Sequence, residues 1–156
     1  MLIETAIENR IISAIRAVLA DQPVTVIGAR QVAASGYVKG KTEANTPAVV
    51  AVATGFRKND AFSLSPVSIS VAVSISSRVE TDPTGGIHEK IMESVANLLQ
   101  TWHDDARGTE KVFDGLPFHF GEIRLDGGAG KSYDDSRDEW TESVSFAIRG
   151  AMKKGN

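Results

Sequence analysis

Cysteine is absent from the 156 residues, which excludes disulfides, thiol nucleophiles and zinc sites built on thiolates. No apolar run approaches the roughly 18 residues that a bilayer span needs. The N-terminus carries Glu4, Glu8 and Arg10 among its hydrophobic residues, which is not the core of a signal peptide. The expectation is synthesis in the cytoplasm and no membrane partner. A basic excess is missing as well: 17 Lys and Arg face 20 Asp and Glu, a formal charge of −3. A sequence-specific nucleic-acid binder needs a basic face to displace counterions. Here Lys39 with Lys41, and Lys153 with Lys154, are the close lysine pairs. Internal repeats and inter-domain linkers are also lacking. The length fits one domain over residues 1–156, which buries roughly 70% of its unfolded surface and needs no covalent staple.

What is present is hydrophobic periodicity. Ile3, Ile7, Ile11, Ala14 or Ile15, and Val18 recur every three or four residues, the stripe of an amphipathic helix that Pro23 ends. Val24–Ile27 is short and β-branched and reads as a first strand. Residues 28–46 read as a polar loop around a weak strand at 31–38. Ala48–Thr54 is apolar on both faces, the pattern of a strand covered on both sides. Asn59 and Asp60 mark a turn. After Pro66, Val67, Ile69, Val71, Val73 and Ile75 alternate with Ser68, Ser70, Ala72, Ser74 and Ser76, which predicts a long strand. Its second face is small and uncharged over five positions. It is either an ordinary solvated serine face or one against which another surface lies flat.

Asp82-Pro83-Thr84-Gly85-Gly86 is a turn leading into a second amphipathic helix through Ile87, Ile91, Val95, Leu98, Leu99 and Trp102. Phe118 and Phe120, then Ile123 and Leu125, form a strand whose parity slips at Gly121-Glu122, which predicts a bulge. Residues 126–137 read as a long loop, and Trp140, Val144, Phe146 and Ile148 as a last strand. The expected class is α+β: a mainly antiparallel sheet of about four to five strands with two helices packed on it.

The candidates for chemistry are weak. Gly130-Lys131-Ser132 resembles the end of a phosphate-binding loop, but the position five before Gly130 is Leu125, and a strand pattern follows instead of a helix. His88 and His103 bracket one helix, roughly 22 Å apart at 1.5 Å per residue, and cannot share a metal within the chain. His103 with Asp104 and Asp105 reads as a polar helix end. His119 alternates with Phe118 and Phe120 and reads as a surface or interface residue. The adjacent acids Asp104-Asp105, Asp134-Asp135 and Asp138-Glu139 do not form the opposed pair that acid-base catalysis uses. No Gly-x-Ser-x-Gly elbow occurs. The expectation is a non-enzyme with no catalytic residue, no cofactor and no metal.

With this layout in place, the chain resembles the tail terminator (tail completion) proteins of long-tailed bacteriophages. The residues that carry the resemblance are the helix Ile3–Leu19, the strand Val67–Ile75, the turn into the helix Ile87–Trp102, and Asp134–Trp140 running into Val144–Ile148. The resemblance implies a structural subunit of the virion that is made in the host cytoplasm. Such subunits form a ring, commonly a hexamer, at the head-proximal end of the tail. The ring caps the tube and ends its polymerisation. Its implied partners are further copies of the chain, the tail tube protein and head–tail connector proteins, with DNA only as passing cargo. Ser68, Ser70, Ser74, Ser76, Lys131 and Arg137 are then interface candidates, and Asp134, Asp135, Asp138 and Glu139 lumen candidates. Two alternatives stand beside this: a connector or neck subunit, and an oligomeric α+β enzyme or small-ligand binder. The latter would have a site between chains that includes His119 or the acids of 134–139.

Overall fold

A computed structural model of the protein describes residues 3–28, 48–58 and 67–152. The weak strand expected at 31–38, the turn at Asn59-Asp60, and Lys39, Lys41, Lys153 and Lys154 lie outside those residues.

The chain is an α+β fold. In order it forms α1 (Ile3–Val18), β1 (Val24–Gly28), β2 (Ala48–Lys58), β3 (Val67–Arg78), α2 (Gly86–Asp104), α3 (Ala106–Glu110), a 3-10 turn (Lys111–Phe113), β4 (Phe118–Gly127), β5 (Ser132–Asp134) and β6 (Glu139–Met152). The sheet has six strands in the order β1-β2-β3-β6-β4, with β5 added to β6. All pairings are antiparallel except β1 with β2. β3 therefore sits centrally, as its strict alternation over Val67–Ile75 requires of a strand with one fully buried face.

That face is the core. Val67, Ile69, Val71, Val73 and Ile75 are each at most 1% exposed. They meet Val50 and Val52 of β2 on one side and Phe146 and Ile148 of β6 on the other. α1 covers them with Ile7, Ile11 and Ile15, Leu19 just after it adds to this cover, and α2 covers them with Ile91, Val95, Leu99 and Trp102. Each of these side chains stabilises the fold by roughly 1.5–3 kcal/mol through burial. Trp102 sets its ring edge-on to Phe146 at 6.4 Å, and Phe113 lies between Phe118 and Phe120.

The start of α2 is fixed by the turn before it. The buried carboxylate of Asp82 accepts the backbone N–H groups of Ile87 (3.0 Å) and His88 (2.9 Å), two donors that a helix start cannot satisfy itself. Gly85 takes φ 74° to turn the chain there, a conformation glycine adopts without steric cost. The parity slip in β4 is a register shift between Phe120 and Glu122, the expected bulge.

Two expectations need correction. Residues 126–137 are not one long loop: β4 runs to Gly127, and β5 pairs with β6 in a hairpin. The hairpin is held by Tyr133 packing on Trp140 (5.7 Å) and by Asp134, which accepts from the backbone N–H and hydroxyl of Ser136. β2 is covered on both faces at its start, where Val49 is 4% exposed, but Ala53 is exposed. A short third helix, α3, follows the second, capped by Asp105 accepting from Gly108 N–H.

Candidate functional site

The second face of the sheet carries no helix among the described residues, and its composition is unusual for a solvated surface. The register sets Ala51 beside Ser74 and Ser143, Ala53 beside Ala72 and Ser145, and Gly55 beside Ser70 and Ala147. The serine alternation of β3 is thus matched by small residues on both neighbouring strands. Ala53, Gly55, Ser70 and Ala72 are exposed, while Ala51, Ser74, Ser143, Ser145 and Ala147 are half-buried. The next row brings charge: Arg57, Ser68, Arg149 and Glu122 lie side by side, with Arg124 opposite Ala147. Arg149 and Glu122 approach to 3.6 Å, and Arg124 and Asp126 to 3.9 Å, all four well exposed. At the other end Ser76 is 1% exposed. Its hydroxyl is buried without a hydrogen-bond partner, so Ser76 does not belong to the accessible face as Ser68, Ser70 and Ser74 do.

At that end the β5–β6 hairpin carries the acids. Asp135, Arg137 and Asp138 are exposed and Asp134 is half-buried, but Glu139 is 1% exposed. Pairing with Arg78 in β3 draws Glu139 into the sheet, so its carboxylate does not face a lumen in the single chain. The hydroxyl of Ser136 on Asp134 holds that carboxyl below the usual range. Tyr133 donates to the Asp138 carboxylate at 2.7 Å, which keeps the phenol protonated and raises its pKa. Lys131 pairs within the chain: its ammonium lies 2.8 Å from Glu89 and 5.1 Å from the Trp140 ring centroid. Arg137 shares a shallow cleft with Arg78, Glu80 and Asp138. After Lys131 the chain enters β5 and not a helix, so no helix N-terminus faces a phosphate there.

The fold also assembles a constellation that adjacency in sequence did not suggest. Ser77 Oγ lies 3.0 Å from His88 Nδ1, and His88 Nε2 lies 2.9 Å from Glu142 Oε1. An ionised carboxylate only accepts, so His88 Nε2 donates to Glu142, while the Ser77 hydroxyl can serve Nδ1 as either donor or acceptor. The composition is that of a nucleophile–base–acid triad. Yet Ser77 is 1% and His88 0% exposed, and a substrate has no approach to the hydroxyl. Ser77 and His88 satisfy each other inside the core, Glu142 reaches His88 from a half-buried position, and together they fasten α2 to β3 and β6. One signal could have found them: continuing the core parity of Val67–Ile75 by one step places Ser77 inward, and that of Val144–Ile148 places Glu142 inward.

The other histidines are at the surface. His103 Nδ1 lies 3.0 Å from Asp104, whose carboxyl that contact lowers, and both side chains are exposed. His119 is likewise exposed, 3.3 Å from Glu110, which also accepts the Phe120 N–H. The register sets His119 opposite Ala151 and Asp134 opposite Glu139, so they lie at opposite ends of β6, roughly 40 Å apart at about 3.3 Å per residue. Among the described residues no group of three or more His, Asp or Glu could hold a metal, and no helix is long and apolar enough to cross a membrane. No protein-family model matches the chain, and no curated protein is significantly similar to it.

Proposed function

We propose that the protein is a structural ring subunit of a phage tail, capping the tube, ending its polymerisation and joining it to the head. The observation that carries the reading is the sheet face of Ser70, Ala72, Ser74, Ala53, Gly55, Ser145 and Ala147. A face meant for water ordinarily carries long charged side chains, which stay mobile and hydrated. Here, over the three rows Ala51–Ser74–Ser143, Ala53–Ala72–Ser145 and Gly55–Ser70–Ala147, three adjacent strands show only groups that end at Cβ or one atom beyond. Such a surface gives a flat partner close approach and costs little side-chain entropy on contact. Its exposed side chains are small, so an assembled subunit gains shape complementarity across them. The tail assignment itself rests on the layout of helix, strands, helix and strands that resembles the terminator proteins.

The test is native mass measurement and electron microscopy of the protein alone and mixed with tail tube subunits. The reading expects a closed ring with an open lumen, or a monomer that caps tubes and limits their length. A monomer that leaves tube growth unchanged contradicts it. An oligomeric enzyme or ligand binder would instead show a closed pocket between chains.

A further inference from the structure

The sheet face that exposes Ala53, Gly55, Ser70 and Ala72 has opposite charge at its two ends. One end is the row of Arg57 and Arg149 with Arg124 beside it, diluted by Glu122 and Asp126. The other is the hairpin tip, where Asp134, Asp135 and Asp138 outnumber Arg137. From Ser68, in the arginine row, to Arg78, opposite Glu139 at the hairpin, β3 runs ten residues, roughly 33 Å. The two ends therefore cannot neutralise each other within a chain, being several Debye lengths apart at physiological salt. The local pairs at the arginine end, at 3.6 and 3.9 Å between exposed side chains, are of the kind worth little, so these guanidinium groups are free to take better carboxylate partners. Around them Gly55, Ser70 and Ala147 raise no side chain that would keep an incoming turn away. The tip is also built to keep its shape: Asp134 holds Ser136, Asp138 holds Tyr133, and Tyr133 rests on Trp140. A preformed turn loses little entropy when it docks.

We infer that these ends are the two halves of a head-to-tail contact between copies of this chain, the acidic tip of one seated on the arginine row of the next. Because the halves are different surfaces, the contact is heterologous and propagates until the rotation closes it into a ring. This rests on the ring reading above and changes one assignment: Asp134, Asp135 and Asp138 face a neighbouring subunit and not the lumen.

A charge exchange tests it. In Asp135→Lys/Asp138→Lys both ends are basic, and in Arg57→Glu/Arg149→Glu both are acidic. Each variant alone should lose assembly at least tenfold in affinity at low salt, with circular dichroism unchanged. An equimolar mixture should recover it, because every contact in an alternating ring is then complementary. Assembly of either variant at wild-type affinity, or failure of the mixture to recover, would overturn the contact while leaving a ring possible; a wild-type mass that stops at a dimer would overturn the contact and contradict the ring as well. A wild-type chain that neither assembles nor caps tubes overturns the ring reading and the contact together.

Discussion

The two faces of one sheet, built from the same strands, are opposites. Toward the helices, β3 presents Val67, Ile69, Val71, Val73 and Ile75, all at most 1% exposed. One residue out of phase, the same strand presents Ser68, Ser70, Ala72 and Ser74 to the outside. The backbone and its ladder are shared, so the contrast belongs to side chains alone. It teaches that the inner face supplies stability and that the outer face is relieved of that duty. Substitutions should separate the two accordingly, with inner changes felt in unfolding and outer ones in association.

The largest effect should come from Trp102→Ala, which empties a 3% exposed site against Phe146. Loss of about 3–5 kcal/mol is expected in denaturant unfolding, and an unchanged midpoint would mean that α2 does not pack as described. His88→Ala should follow. It leaves the buried Ser77 hydroxyl without its partner, which costs about 1–3 kcal/mol for a group left unsatisfied inside, while the half-buried Glu142 carboxylate can turn to water. A double-mutant cycle with Ser77→Ala should show coupling between the two sites, and strict additivity would disprove the hydrogen bond.

A pair of glycines draws the comparison more finely. A Cβ on Gly150, on the inner parity of β6, would fall 2.2 Å from the His119 carbonyl oxygen and 2.5 Å from the Phe118 ring. A Cβ on Gly55, on the outer face, would meet nothing within 4 Å. Gly150→Ala should therefore destabilise by about 1–3 kcal/mol through overpacking. Gly55→Ala should stay within about 0.5 kcal/mol of wild type, as surface changes usually do. Equal effects in thermal unfolding would erase the distinction between the faces.

Much of this architecture could be read from the sequence because burial leaves a period. The stripe Ile7–Ile11–Ile15 and the alternation Val67–Ile75 each announce their element, and the slip at Gly121-Glu122 announced the bulge. β5 was not legible: three residues are too few to show a period, and the packing of Tyr133 on Trp140 joins residues seven positions apart across a turn. The Ser77–His88–Glu142 network spans separations of 11 and 54 residues, so it exists only once the sheet register is known. Of the candidate surface residues, Ser68, Ser70 and Ser74 lie on the outer face as their parity implied. Ser76 and Glu139 share that parity yet are buried, because alternation sets which face a residue takes, not whether anything covers it there.

The most direct measurement places a long charged side chain at the centre of the outer face. Ala72 is exposed between Ala53 and Ser145, so Ala72→Arg touches nothing in the core. Native mass and tube-capping activity should be read beside the melting temperature. The account predicts an unchanged melting temperature with ring formation or tube capping lost. A variant that assembles and caps as the wild type does would show that this face takes no part in assembly.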